Sequence, residues 1–169
     1  MSNPHPNPEA RLREWLERFR PLLAKVVRGF ANCRQDEQEL FQDVLVQLWQ
    51  SAGRFDGRCA DSTWVYRVAF NTAMAWSRAA KRRSARQADV TNFDTMPAPI
   101  APDTAQIDAL YAAIRQLPAP ETALIMMHLD GVSYREMAEV MGLSEANVGT
   151  KLTRTRAQLA KLINGARHE

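Results

Sequence analysis

Apolar residues recur at three- and four-residue intervals along most of this chain, the spacing that gives an α-helix one buried face. Leu12, Trp15, Leu16, Phe19, Leu22, Leu23, Val26, Val27 and Phe30 mark a first amphipathic helix, with Pro21 as the point where it could kink or split. Glu37 to Trp49 is expected to form a second, with Leu40, Phe41, Val44, Leu45, Leu48 and Trp49 on its apolar stripe and its acids mostly off it. After the loop RFDGRCADS, Asp61 or Ser62 would cap a long third helix through TWVYRVAFNTAMAWSRAAKRR, with Trp64, Val65, Val68, Ala69, Thr72 and Trp76 toward the core.

Between Ser84 and Thr104, prolines and small residues break both helical and strand periodicity, which predicts a flexible linker. Four further helices are expected beyond it. The first covers Ile107 to Leu117 and stops at Pro118, and the second runs from Glu121 to Leu129 and ends at Asp130-Gly131. Ser133 and Glu136 form a capping box for YREMAEVM, Gly142 allows a left-handed turn, and Ser144 caps the last helix, Glu145 to about Ile163. The fold class expected is therefore all-α, in two small helical domains. Their bounds are a tail over 1–10, a first domain over 11–84, a linker over 85–104 and a second domain over 105–165.

Gly131 to Leu159 carries the parts of a helix-turn-helix. Ala138 is the small residue at the helix crossing, Gly142 supplies the turn, and Val148, Leu152, Leu159 and Leu162 give the second helix a buried stripe. Its opposite face presents Asn147, Thr150, Lys151, Thr153, Arg154 and Arg156, with no acid after Glu145. Such a face can read base edges and hold phosphates, although plain helical hairpins share the spacing.

Charge sharpens this picture. The net charge is only +3, yet Ala31 to Gln50 holds four acids against one base, while Ala60 to Arg86 holds six bases against one acid. Two neighbouring segments of opposite sign suggest two different partners, one of them polyanionic. The basic segment interleaves Trp64, Tyr66, Phe70 and Trp76 with Arg67, Asn71, Arg78, Lys81, Arg82 and Arg83, the mixture of stacking faces and cations that single-stranded nucleic acid requires. Trp64 and Trp76 fit the core stripe. Tyr66, Arg67, Phe70 and Asn71 lie off it and are the better candidates for contacting bases.

Catalytic and metal chemistry find no foothold. No nucleophile elbow, zincin, P-loop or dinucleotide fingerprint occurs, and neither Cys33 nor Cys59 has a ligand partner at metal spacing, so neither cofactor nor metal is expected. A redox role for the two thiols is the minor reading. No apolar run is long enough for a membrane span and no signal peptide opens the chain, which points to a cytosolic protein.

The motifs together resemble the extracytoplasmic-function (ECF) group of sigma-70-family RNA polymerase sigma factors. DEQELFQDVLVQLWQ, RFDG and STWVYRVAFNTAMAWSRAAKRR resemble sigma region 2, and the stretch from Leu117 to Leu159 resembles region 4. The resemblance implies that Asp36, Glu39, Gln42, Asp43 and Trp49 dock on core RNA polymerase. It also implies that Phe55, Asp61, Ser62, Thr63, Tyr66, Arg67, Phe70 and Asn71, with Arg78, Lys81, Arg82 and Arg83, engage promoter DNA at the minus-ten element. Ser144, Asn147, Thr150, Lys151, Thr153, Arg154 and Arg156 would enter the minus-thirty-five element, and an anti-sigma factor would hold the otherwise monomeric protein inactive. Two rivals stay open at this point: a helix-turn-helix regulator whose first domain dimerises or senses a signal, and a sigma-like adaptor that binds proteins without melting DNA.

Overall fold

The computed structural model describes residues 7–86 and 102–165. Among them are seven α-helices: α1 (Pro8–Phe30), α2 (Arg34–Ala52), α3 (Asp61–Arg86), α4 (Pro102–Ile114), α5 (Ala119–Leu129), α6 (Tyr134–Met141) and α7 (Glu145–Gly165). Of the stretch read as a tail, residues 1–6 lie outside the described residues and Pro8 already opens α1; of the segment read as a linker, residues 87–101 lie outside them.

The first three helices pack on one another around Trp15, Leu23, Leu40, Leu48, Val65 and Ala69, all essentially inaccessible to solvent. The apolar periodicity placed these residues inside, and each large side chain so buried contributes about 1.5–3 kcal/mol relative to exposure. Pro21 does not split α1, which runs through as one helix of 23 residues. The residue is exposed, so the backbone bond it forfeits lies on the solvent side, where water satisfies the carbonyl.

Helix ends follow local chemistry. Asn7 caps α1, accepting from Glu9 N, and Cys33 caps α2 through its sulfur, which accepts from Asp36 N at 3.5 Å. The cap expected at Asp61 or Ser62 is displaced. α3 already includes both residues, Ala60 O receives the first turn's bond from Trp64 N, and Asp61 acts as a first-turn acid on the helix dipole. The Ser133–Glu136 capping box is complete in both directions, and Gly142 closes α6 in the left-handed conformation at φ 65°. Ser144 Oγ then accepts from Asn147 N at 3.2 Å, starting α7.

In the second half, α7 packs against α4, α5 and α6, and Val148, Leu152, Thr155 and Leu159 form its buried stripe. The two halves also pack together: α1 touches α4 and α5, and α3 touches α5 and α6. Five ties cross this seam. Lys25 pairs with Asp130, Arg28 with Asp108, Tyr66 Oη donates to Asp130 at 3.0 Å, Arg67 donates to Glu139 O at 2.9 Å, and Arg115 donates to Arg28 O at 3.2 Å.

Candidate nucleic-acid interface

Both faces of the site are laid out along helices, which set their geometry. On α7 and at the Ser144 cap before it, every residue expected to contact the minus-thirty-five element is exposed: Ser144, Asn147, Thr150, Lys151, Thr153, Arg154 and Arg156. Two of the threonines are partly committed. Thr150 Oγ1 donates to Ala146 O and Thr153 Oγ1 to Gly149 O, both at 3.0 Å. They therefore offer a methyl group and lone pairs outward, suited to thymine methyls and base amines, while donation to phosphate falls to Lys151, Arg154 and Arg156. Ser144 is spent on its cap. Gly149 lies under the Tyr134 ring, and a Cβ there would sit 3.5 Å from the ring edge, an ordinary contact, so space does not require the glycine.

On α2, Glu39, Gln42, Asp43 and Trp49 are exposed, Trp49 by 57%. Trp49 thus leaves the apolar stripe assigned to it, because α1 and α3 cover only the Leu40, Val44, Leu48 line. With Val46, 47% exposed, it makes an apolar spot on an acidic helix. Asp36 is turned inward to its own helix start, where Oδ2 accepts from Asn32 N. Glu39 is shared with α3 through Arg83 at 3.5 Å, so one candidate polymerase contact and one candidate DNA contact neutralise each other across a surface groove.

The minus-ten set divides sharply. Asn71, Arg78, Lys81 and Arg82 are exposed, with Arg83 beside them over the Trp76 ring, and Asp61 and Ser62 are half-buried at the start of α3. Phe55 and Thr63 are corrected to core positions. Phe55 meets Trp15 and Trp64 edge-on, each at 5.4 Å between ring centres, under the Arg11 guanidinium, and Thr63 is 3% exposed. A loop aromatic wedged between two tryptophans cannot present a face to a base. Tyr66 and Phe70, expected to stand off the core, are also buried. Their rings stack at 5.8 Å, Phe70 leans on Phe30 of α1, and the Tyr66 hydroxyl reaches Asp130 on the second half. α3 therefore has two covered sides, one packed in its own domain and one against α5 and α6. Burial first, then the Asp130 charge, pushes the Tyr66 phenol far above its usual range.

Asp130, read from the sequence only as the C-cap signal of α5, was not foreseen as a partner of Lys25 and Tyr66 across the seam, and neither was the contact of Gly29 with Met126. The hydrogen bond from Lys25 to Asp130 raises the lysine's pKa above its ordinary value. The one available signal was Gly29 itself, a glycine inside a helical pattern with no turn to make. Both cysteines are free, and burial raises the Cys59 thiol, which lowers its reactivity and weakens the redox reading. Among the described residues no cluster of acids, histidines and thiols is arranged to hold a metal ion, and no helix is long and apolar enough to cross a membrane.

An exposed basic helix-turn-helix, a second aromatic-basic helix and an acidic helix suit a two-domain helical DNA-binding protein. Comparison with known proteins narrows this class. Residues 15–83 match the family model for sigma-70 region 2, and residues 107–159 match that for sigma-70 region 4. The chain is 30% identical over 155 residues to the RNA polymerase sigma-H factor of Pseudomonas aeruginosa, covering 84% of this chain and 80% of that one. It is 28% identical over 146 residues to the ECF sigma factor SigM of Mycobacterium tuberculosis, covering 83% and 71%. Its fold is similar to that of the sigma factor RpoE solved with the anti-sigma factor NepR from Bartonella quintana, with a TM-score of 0.73, 18% identity and coverage of 90% and 96%. The chain belongs to the ECF group of sigma-70-family RNA polymerase sigma factors.

Proposed function

We propose that this sigma factor docks on core polymerase through α2, reads the minus-thirty-five element with α7 and opens the minus-ten element with α3. The observation that carries the reading is the separation of charge on exposed helix faces: acids and Trp49 on α2, and an outer face of α7 with no acid after Glu145. Docking uses Glu39, Gln42, Asp43 and Trp49, with Asp36 contributing charge rather than direct contact. Duplex contact uses Asn147, Thr150, Lys151, Thr153, Arg154 and Arg156. Strand opening uses Asn71 and Arg67 for base edges and Arg78, Lys81, Arg82 and Arg83 for phosphates.

The protein works in the cytoplasm with the polymerase and performs no covalent chemistry of its own. An anti-sigma factor is the expected regulator, as RpoE of Bartonella quintana has in NepR. The test is permanganate footprinting of genomic promoter fragments with purified core polymerase, with and without this chain. Thymines that become reactive only when the chain is present support the reading; polymerase binding with no melting would leave the adaptor, and DNA binding without polymerase would leave the regulator.

A further inference from the structure

The loop over 53–60 joins the helix assigned to polymerase to the one assigned to strand opening, and its middle is plugged into the first domain. Phe55 sits between Trp15 and Trp64, each ring centre 5.4 Å away, while Arg54, Asp56 and Arg58 around it are exposed. Trp64 Nε1 closes the base of the loop by donating to Ser51 Oγ at 3.2 Å. What stays open to a nucleic-acid strand is the tip. There Asp56 Oδ1 accepts from Arg58 N at 3.1 Å, Gly57 takes a left-handed φ of 74°, and the Arg58 guanidinium pairs with Asp56 at 3.0 Å.

One residue from another helix holds this loop in place. Arg11, near the start of α1, donates through Nη1 to Ala52 O at 2.8 Å and to Phe55 O at 3.3 Å, and its guanidinium lies 5.2 Å from the centre of the Phe55 ring. α2 needs such a donor. It ends at Gly53 in the right-handed conformation, φ −72°, and has no basic residue in its last turn, so neither a left-handed cap nor a cation of its own answers the carbonyl of Ala52. Among the described residues Arg11 forms no ion pair with a carboxylate. Its nitrogen goes instead to the main chain of the loop, which fixes the path of the backbone whatever side chains the tip carries.

We propose that Arg11 is a positioning residue for promoter reading: by tying the loop over 53–60 to α1, it presents Asp56 and Arg58 to the displaced strand in one geometry and so sets which minus-ten sequence opens. The inference rests on the proposed strand opening by α3, and its test separates the two. After burial, the charges that act on the Cys59 thiol are those of Arg67, Glu139, Asp56 and Asp61, so the tip and the candidate base contact Arg67 share one corner of the protein. A group that tells bases apart has to be held within about 0.5 Å of its productive geometry. Releasing the loop adds geometries in which the tip meets the strand wrongly, so selection among sequences falls further than affinity.

The experiment measures melting by permanganate reactivity with saturating core polymerase, on a promoter that this chain opens and on versions of it with single substitutions in the minus-ten element. Arg11→Met keeps the aliphatic packing over Phe55 and removes only the donors. We expect it to bind core polymerase as the wild type does and to open the parent promoter, with the ratio of parent to substituted rates reduced at least fivefold. An unchanged ratio at equal polymerase occupancy, with only the thermal midpoint lowered, makes Arg11 merely structural and overturns the proposal. Arg11→Lys, which returns a nitrogen donor, should recover at least half of the loss; a lysine variant as indiscriminate as the methionine one also overturns it. Arg58→Ala reports on the tip by itself. It should lower the ratio at the same promoter positions, and adding Arg11→Met should lower it no further, whereas additive losses mean that Arg11 does not act through the tip and overturn its role. A wild-type ratio for Arg58→Ala removes the tip as a reader, and the proposal with it, while strand opening by α3 stands. Absence of melting by the wild-type chain overturns strand opening and the proposal together.

Discussion

Gly29 of α1 and Met126 of α5 meet across the domain seam with no room for a side chain at position 29, where a Cβ would stand 2.1 Å from the Met126 sulfur and 2.9 Å from its methyl carbon. Alanine at an interior helix position ordinarily gains about 1 kcal/mol over glycine. Here the buried thioether must shift, and overpacking of this kind costs about 1–3 kcal/mol. Gly29→Ala is therefore expected to lower stability by about 1 kcal/mol in urea unfolding. In the background of Met126→Ala the same substitution should become neutral or favourable, and additive effects in the double mutant would refute the contact.

Gly149 makes the contrasting case. Its Cβ position is 3.5 Å from the Tyr134 ring, so added carbon finds an ordinary contact rather than a clash. Gly149→Ala should raise stability by about 0.5–1 kcal/mol through backbone entropy and helix propensity. A fall in the thermal midpoint would show that the ring cannot accept the methyl group.

The capping box of α6 gives a pH signature. Hydrogen bonds from the Ser133 hydroxyl and backbone N–H hold the Glu136 carboxyl below its ordinary value of 4.5. A depressed carboxylate adds stability above its unfolded value, and that stability is lost as pH falls through the folded value. Ser133→Ala should cost about 1 kcal/mol at neutral pH, less below pH 4, and should move Glu136 upward in an NMR titration. An equal loss at both pH values would mean that Glu136 does not take part.

Asp43 is exposed on α2, in the face assigned to polymerase, and among the described residues no cation pairs with it. Asp43→Lys is expected to abolish association with core polymerase in gel filtration while helix content, read by circular dichroism, stays unchanged. Retention of binding would remove α2 from the docking surface.

Arg154 is exposed on α7 with no acid beside it on the outer face. As a phosphate contact, its replacement by alanine should weaken binding of the minus-thirty-five element about equally across sequences and reduce the slope of log affinity against log salt by about 1. A change in sequence preference with no change in slope would make it a base reader instead.

Periodicity made most of the core legible: Trp15, Leu40, Val65 and Val148 each sit on a stripe that one helix alone reveals. Caps were equally readable at Ser133, Glu136, Gly142 and Ser144, since each depends on neighbours within four residues. Phe70 was misplaced because Phe30 of α1 packs on it, and Tyr66 because the second half reaches it through Asp130. Whether the second side of α3 is wet depends on α5 and α6, which follow more than thirty residues after its end, and no period within α3 encodes that. Phe55 failed similarly, because its burial between Trp15 and Trp64 is set by where a loop folds back. The outer face of α7 was placed correctly because solvent needs no partner to be anticipated.

Two of the seam's hydrogen bonds end on main-chain oxygens, Arg67 on Glu139 O and Arg115 on Arg28 O. A peptide carbonyl survives every substitution of the side chain attached to it. Genetic scanning of this joint will therefore be one-sided: position 67 should respond to replacement through a bond that position 139 can never be mutated to lose. Drift at Glu139 leaves that half of the joint untouched, whereas Asp130 and Asp108, which hold their donors through side chains, are not free to drift.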